Sequence, residues 1–144
     1  MKPFFLALVL LVLLVGCNTK TDNGEHSHNG HESANQALYD EVMKVHDEVM
    51  PRMNDIYKLK EDLKKDIADA PAMVESKRKE IESAILQLDA ASEAMMDWMR
   101  NFNPLPDSLG EERAREYLEE QKVKVGKVKE EMLRAIDEAK GLNE

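Results

Sequence analysis

The stretch AREYLEEQKVKVGKVKEEMLRAIDEA, residues 114–139, decides the fold of this chain. Apolar residues recur in it at alternating steps of four and three positions, and Gln121 is the polar member of the series. The full series is Ala114, Leu118, Gln121, Val125, Val128, Met132, Ala135 and Ala139. This spacing lines one side of an α-helix, and its near-heptad period is typical of helices that pack as in a coiled coil. The stretch therefore predicts a long helix with one buried face, extending over residues 109–142.

Two further apolar stripes precede this helix, over residues 35–70 and 71–102. Their members are Leu38, Val42, Val45, Val49, Ile56, Leu59, Leu63 and Ile67 in the first, and Val74, Ile81, Ala84, Leu88, Ala91, Met95, Trp98 and Phe102 in the second. Pro51 interrupts the first stripe, which resumes in phase, so we predict a kink near residues 47–50 and no end of the helix there. Pro71 suits the first turn of the second helix. Ser33 and Ser108 open capping-box patterns for the first and third helices.

Three helices of similar length joined by short loops predict an all-α fold. The expected architecture is an antiparallel up-down-up three-helix bundle with coiled-coil-like heptads over residues 35–144. The alternative is a homodimer that completes a larger bundle, because three long helices with narrow stripes can leave apolar surface uncovered.

The N-terminus predicts export and lipid attachment. Lys2 precedes an apolar run, residues 4–15, which is too short to span a bilayer as a helix because that requires about 20 residues. Leu14-Val15-Gly16-Cys17 is similar to a bacterial lipobox, so residues 1–16 are expected to be a lipoprotein signal peptide and Cys17 the lipidated residue. Residues 17–34 are polar and contain Gly24 and Gly30, which predicts a flexible tether between the membrane and the bundle.

The charge of the chain limits its partners. Lys2 is the only charged residue in the signal peptide, so the net charge of −9 becomes −10 after cleavage. An acidic surface argues against nucleic acid and against adhesion to anionic lipid. Membrane attachment is therefore expected to come from the lipid at Cys17 alone. Because this is the only cysteine, its acylation leaves no thiol for a disulfide, a nucleophile or a metal ligand.

The tether contains the histidines His26, His28 and His31. Closely spaced imidazoles on a flexible chain can gather around Zn²⁺, Cu²⁺ or Ni²⁺, although nothing preorganises such a site. The alternative is a hydrophilic spacer in which the histidines have no ligand.

Methionines cluster in the first two helices, around the bundle's only histidine, His46. The candidate ligands there are His46, Met43, Met50, Met95 and Met99. Thioethers and imidazole are soft ligands that suit Cu(I), so one interpretation is a copper-binding or copper-buffering site at the tether end of the bundle. The main alternative is core packing by methionine without any cofactor. A methionine-lined groove for a partner helix or an apolar ligand is a further alternative.

An antiparallel turn centred near residues 70–71 would place both methionine clusters in one layer. In that register Met43 lies opposite Trp98 and Met99, and His46 lies opposite Met95 and Met96.

The bundle has no catalytic constellation. A ferritin-like di-iron site needs two Glu-x-x-His motifs, and His46 is the bundle's only histidine. No serine lies in a recognisable nucleophile motif. We therefore expect a non-enzymatic protein with a structural role or an unknown protein partner.

Residues 46–53 (HDEVMPRM) and 94–99 (AMMDWM) carry a resemblance. Over residues 38–140 the chain resembles small lipoproteins of the Bacteroidota known by the label "viral A-type inclusion protein". The resemblance implies a lipoprotein and a helical bundle, and it carries over no catalytic residue. It also implies a Gram-negative cell envelope, in which Asn18 after the acylated cysteine is not the aspartate that retains lipoproteins at the inner membrane. The expected location is therefore the outer membrane.

Overall fold

The computed structural model describes residues 29–104 and 109–142, and regular structure within them is helical. Four helices follow one another along the chain: α1 Asn29–Val49, α2 Arg52–Asp69, α3 Glu75–Asn101 and α4 Glu111–Leu142. Helices α1 and α2 together form the first of three long helical segments. The all-α three-helix bundle predicted from the sequence is confirmed. The signal peptide, Cys17, His26 and His28 lie outside the described residues.

The first helical segment is interrupted at Pro51: α1 ends at Val49 and α2 begins at Arg52, whereas the sequence predicted a kink without an end of the helix. Pro51 keeps helical angles, φ −60° and ψ −25°. The Met50 N–H still donates to the His46 carbonyl at 2.9 Å, whereas the Met53 N–H reaches back only three residues, to the Met50 carbonyl at 3.1 Å. Proline offers no N–H to the preceding turn, so the helical hydrogen bonding is broken over Met50–Pro51. The apolar stripe nevertheless continues in phase, because Val49 and Ile56 are both buried.

The predicted helix starts were wrong at three places. Helix α1 begins at Asn29 instead of residue 35, so Ser33 lies inside the helix and does not cap it, and residues 29–34 of the predicted tether are helical. Helix α4 begins at Glu111 instead of 109, because Gly110 has φ +81°, which is incompatible with a helix through this residue. Ser108 lies outside the described residues.

The third wrong start concerns the predicted second helix, which begins at Glu75 instead of 71. The Met73 N–H donates to the Ala70 carbonyl at 2.9 Å, so Pro71 occupies the second position of a β-turn, where proline is favoured. Val74 has extended angles and is exposed, and it is therefore not part of the apolar stripe as predicted.

The three segments run up, down and up. Glu41 pairs with Lys122 and Glu48 with Lys129, so residue numbers rise together along α1 and α4. The two helices are therefore parallel. Ring contacts pair His46 of α1 with Trp98 of α3, and Tyr39 of α1 with Phe102, which directly follows α3, so α3 is antiparallel to α1. The most extensive helix contacts are those of α1 with α4 and of α3 with α4, while α2 packs on both α3 and α4.

The core follows the three stripes. Its fully or nearly fully buried apolar side chains are Val42, Val49, Ile56, Leu59, Leu63, Ile81, Ala84, Leu88, Ala91, Met95, Trp98, Ala114, Leu118, Val125, Met132, Ala135, Ile136 and Ala139. Ile136 was missing from the predicted stripe of the last helix. Gln121 is the buried polar residue of the described core. None of the helices in the described residues is apolar over a length that could cross a membrane.

Candidate functional site

One end of the bundle, which we call the histidine end, gathers rings and polar side chains from α1, α3 and α4. Its members are Tyr39, His46, Trp98, Met99, Phe102, Tyr117 and Gln121. Phe102 is the hub of the rings, with centroid distances of 4.9 Å to Trp98, 6.2 Å to Tyr39 and 6.3 Å to Tyr117. All three contacts are stacked. The cluster therefore joins three helical segments through aromatic surfaces.

A buried hydrogen bond joins α3 to α4 in this cluster. The Trp98 Nε1–H donates to the Gln121 Oε1 at 3.0 Å, and both side chains are buried. A buried indole N–H without an acceptor would keep its full desolvation cost. The polar interruption of the last apolar stripe is thus the acceptor that the tryptophan of the preceding helix requires.

His46 lies in the last turn of α1 and has a partner at each ring nitrogen. Nδ1 lies 2.9 Å from Asp47 Oδ1, and Nε2 lies 3.3 Å from the sulfur of Met99. The ring centroid is 5.9 Å from that of Trp98, and the side chain is 19% exposed. The carboxylate of Asp47 can only accept, so in a neutral imidazole the proton lies on Nδ1 and the Nε2 lone pair faces Met99.

The structure brings two of the predicted copper ligands into contact, namely His46 and Met99. Met43 and Met50 lie one helical turn before and after His46 and are half-buried, while Met95 is completely buried in the core. His31 lies on α1. The described structure gives no contact that links these further residues to the His46–Met99 pair.

The predicted layer was wrong by about one helical turn. His46 lies opposite Trp98 and Met99, whereas the sequence placed it opposite Met95 and Met96. The β-turn at residues 70–73 explains the shift, because it moves the centre of the reversal beyond Pro71 and slides α3 along α1. In the part of the chain that the structure describes, no three His, Cys, Asp or Glu side chains are close enough to hold a metal ion.

A second candidate site is the groove between α3 and α4 on the side that α1 and α2 leave open. Its middle is lined by Gln87, Ala90 and Ala91 of α3 and by Glu131, Arg134 and Ala135 of α4. A second pocket of this helix pair includes Ser83, Gln87, Glu138 and Gly141. A third, at the histidine end, is lined by Asp97, Trp98, Asn101, Tyr117, Glu120, Gln121, Lys124, Lys127 and Val128. We call this surface the α3–α4 groove.

Ion pairs join the helices at two boundaries other than the α3–α4 groove. Lys122–Glu41 and Lys129–Glu48 close the boundary between α1 and α4, and Lys60–Asp89 closes that between α2 and α3. The Glu48 carboxylate accepts a hydrogen bond from Lys129 Nζ at 2.7 Å, and this bond together with the positive charge of Lys129 lowers the pKa of Glu48 below its ordinary value of 4.5.

Within residues 29–104 and 109–142, no ion pair joins α3 to α4. Lys127 and Arg134, on the α4 rim of the groove, take part in no ion pair of the described structure.

Comparison of the chain with protein-family models, with curated proteins and with solved structures finds no match.

Proposed function

We propose that this chain is a non-enzymatic lipoprotein of the cell envelope, anchored through lipid on Cys17, whose bundle binds a protein partner in the α3–α4 groove. Support for the anchor comes from the leader sequence alone. Support for the partner comes from the groove, and above all from its two basic residues without an ion pair.

The main support for the proposal is that α4 has two pairs of basic residues with the same seven-residue spacing. Lys122 and Lys129 lie one heptad apart and receive Glu41 and Glu48, also one heptad apart, from a parallel helix. Lys127 and Arg134 repeat this spacing on the rim of α4 that faces the groove. The first basic pair is bonded to α1, whereas Lys127 and Arg134 form no ion pair within the described residues, although Asp97, Glu120, Glu131 and Glu138 line the same surface. We infer that the second pair binds two acidic residues of a helix from another molecule.

The opposite wall of the groove suits close approach of a helix. Ser83, Ala90 and Ala91 on α3 are small, so the backbone of an incoming helix can come near. Helices pack at interaxial distances of about 8–10 Å, and the shorter distances require small side chains at the contact. The partner segment that fits is an amphipathic helix with an apolar stripe and two acidic residues seven positions apart.

Site-specific photo-crosslinking in cells tests the partner. A photo-reactive amino acid replaces Ala90 in the groove, and in a control it replaces Leu86, which is exposed on α3 but does not line the groove. We expect a discrete heterologous adduct at position 90 and none at position 86. Mass spectrometry of the adduct should identify a segment with the expected acidic heptad spacing.

Charge reversal supplies the matched control. Lys127→Glu/Arg134→Glu should abolish the adduct at position 90. Lys58→Glu/Lys140→Glu makes the same change in net charge at two basic residues that do not line the groove, and it should preserve the adduct. An adduct that survives the first reversal would contradict the proposal. So would an adduct of two copies of this chain, which would identify the groove as a homodimer interface, and so would absence of any adduct.

The anchor is tested separately with Cys17→Ala. We expect the wild-type chain to incorporate labelled palmitate and to sediment with outer membranes, and the variant to do neither. Incorporation of label by the variant, or sedimentation of the wild-type chain with the inner membrane, would contradict this part of the proposal.

A further inference from the structure

We propose that His46 and Met99 form a binding site for a soft monovalent cation, physiologically Cu(I), at the histidine end of the bundle. This site is independent of the α3–α4 groove and of its partner. It would give the protein a second activity, the binding or buffering of copper close to a membrane.

The geometry at Nε2 carries the inference. Asp47 Oδ1 lies 2.9 Å from Nδ1 and can accept a hydrogen bond from Nδ1–H, and in the tautomer that makes this bond Nε2 presents a lone pair. The atom facing this lone pair at 3.3 Å is the thioether sulfur of Met99, which has no proton to donate. Two acceptors in contact gain nothing from each other. A cation shared by both atoms would lie beside the line that joins them, because 3.3 Å is shorter than the sum of a metal–nitrogen and a metal–sulfur bond.

The donor set selects the type of cation. Imidazole and thioether are soft to borderline ligands, and thioethers favour Cu(I) over hard ions such as Ca²⁺ or Mg²⁺. Met43 precedes His46 by three residues on α1, and Met50 follows it by four, just after the end of that helix.

The surroundings of the pair match those of a metal-ligating histidine. Such histidines commonly donate their second N–H to a carboxylate, which fixes the tautomer and increases the basicity of the ligating nitrogen. Asp47 is placed to do this, and we assign it as a positioning residue. The Trp98 ring centroid lies 5.9 Å from that of the imidazole, so the indole is close to any cation bound at Nε2.

Trp98 also supplies the measurement, because it is the only tryptophan of the chain. The protein to use is the chain of residues 17–144 with Cys17→Ser. Without acylation the Cys17 thiol would be free and would itself bind the metal, which the acylated cysteine of the mature protein is not expected to do. Titration with Ag(I), and with Cu(I) under ascorbate against a competing chelator, should quench Trp98 fluorescence with one ion per chain at micromolar or lower concentration.

Variants of equal size assign the ligands. Met99→Leu and His46→Gln should abolish the quenching at these concentrations, and Asp47→Asn should weaken binding by about 10–100-fold. Met132→Leu, which changes a buried methionine outside the histidine end, should leave the titration unchanged. The triple variant His26→Ala/His28→Ala/His31→Ala should also leave it unchanged. Helical circular dichroism of every variant establishes that the bundle is retained.

Three results would overturn the site. They are no quenching by Ag(I) or Cu(I) at micromolar concentration, equal loss in Met99→Leu and Met132→Leu, and loss in the triple histidine variant with retention in His46→Gln. The last would assign metal binding to the N-terminal histidines instead of the bundle.

Discussion

The two ends of this bundle have the same architecture and different chemistry. At the end formed by α2, the first half of α3 and the second half of α4, which we call the aliphatic end, the buried side chains are apolar. They are Ile56, Leu59, Leu63, Ile81, Ala84, Leu88, Met132, Ala135, Ile136 and Ala139. The histidine end buries Trp98 and Gln121 with polar atoms that pair with each other, and half-buries His46 with a partner at each ring nitrogen.

This difference separates side chains that the fold requires for packing from side chains that it does not require. Hydrocarbon packing is non-directional, so any apolar set of suitable volume satisfies the aliphatic end. Hydrogen-bonding atoms must meet partners at defined distances, so the histidine end restricts both residue type and geometry. The bundle would close without an imidazole facing a sulfur. Because packing does not require this imidazole–sulfur contact, we propose a ligand site at the histidine end.

The largest expected effect on stability comes from removing buried side-chain volume at the aliphatic end. Leu63 is completely buried, and Leu63→Ala should lower the free energy of unfolding by about 2–5 kcal/mol through lost transfer energy and a cavity. Urea unfolding of the 17–144 chain with Cys17→Ser, followed by circular dichroism, measures it. Leu63→Met keeps the volume and should cost less than about 1.5 kcal/mol. Equal losses in the two variants would show that volume does not govern this end.

The second prediction concerns the histidine end, where a substitution that preserves side-chain volume should still lower stability. Gln121→Leu replaces a buried polar residue by an apolar one of similar size, and it should lower stability by about 1–3 kcal/mol because the Trp98 Nε1–H then has no acceptor. Trp98→Phe/Gln121→Leu removes the orphaned donor. Urea unfolding of the double-mutant cycle should therefore show that the two losses are not additive. Additivity within about 0.5 kcal/mol would mean that the hydrogen bond contributes nothing.

The third effect concerns the rings. Phe102→Leu removes stacked contacts with Tyr39, Trp98 and Tyr117, which should cost roughly 0.5–1.5 kcal/mol beyond the lost area and diminish the near-ultraviolet circular dichroism. Ile67→Leu, at a half-buried position of the aliphatic end, is the control and should leave that spectrum unchanged. Similar spectral changes in both variants would contradict a ring cluster confined to the histidine end.

Periodicity allowed the fold to be predicted because burial along a helix repeats with the helix. The steps of three and four from Ala114 to Ala139 correspond to buried positions almost without exception, and Gln121 was recognisable as an interruption. Signals at helix ends were ambiguous instead. Pro71 is favoured both in the first turn of a helix and in a β-turn, and only the Met73–Ala70 hydrogen bond decides between them.

The two possible roles of Pro71 also affected the predicted position of His46 relative to α3. A loop longer by a few residues slides α3 past α1, so the sequence paired His46 with the wrong turn of α3 even though Met99 was among the candidate ligands. Asp47 gave no signal, because an aspartate on a charged helix surface resembles its solvated neighbours. The heptad spacing of Glu41 and Glu48 was visible in the sequence. Their partners, Lys122 and Lys129, depend on the register of α1 along α4, which the structure provides.

The smallest expected effect is an ion pair near the histidine end, and pH isolates it. Lys129 lowers the pKa of Glu48, so folding favours the ionised carboxylate. The contribution of Glu48 to stability is therefore complete above its ordinary pKa of 4.5 and is lost as the pH falls through the lower value of the folded state. Glu48→Gln should lower the urea midpoint slightly at neutral pH and match the wild-type chain in more acidic solution.

Glu131→Gln changes a carboxylate without an ion pair in the described structure and should show no such convergence. A Glu48→Gln difference that persists at low pH would mean that side-chain packing, and not charge, holds α1 to α4 at this point.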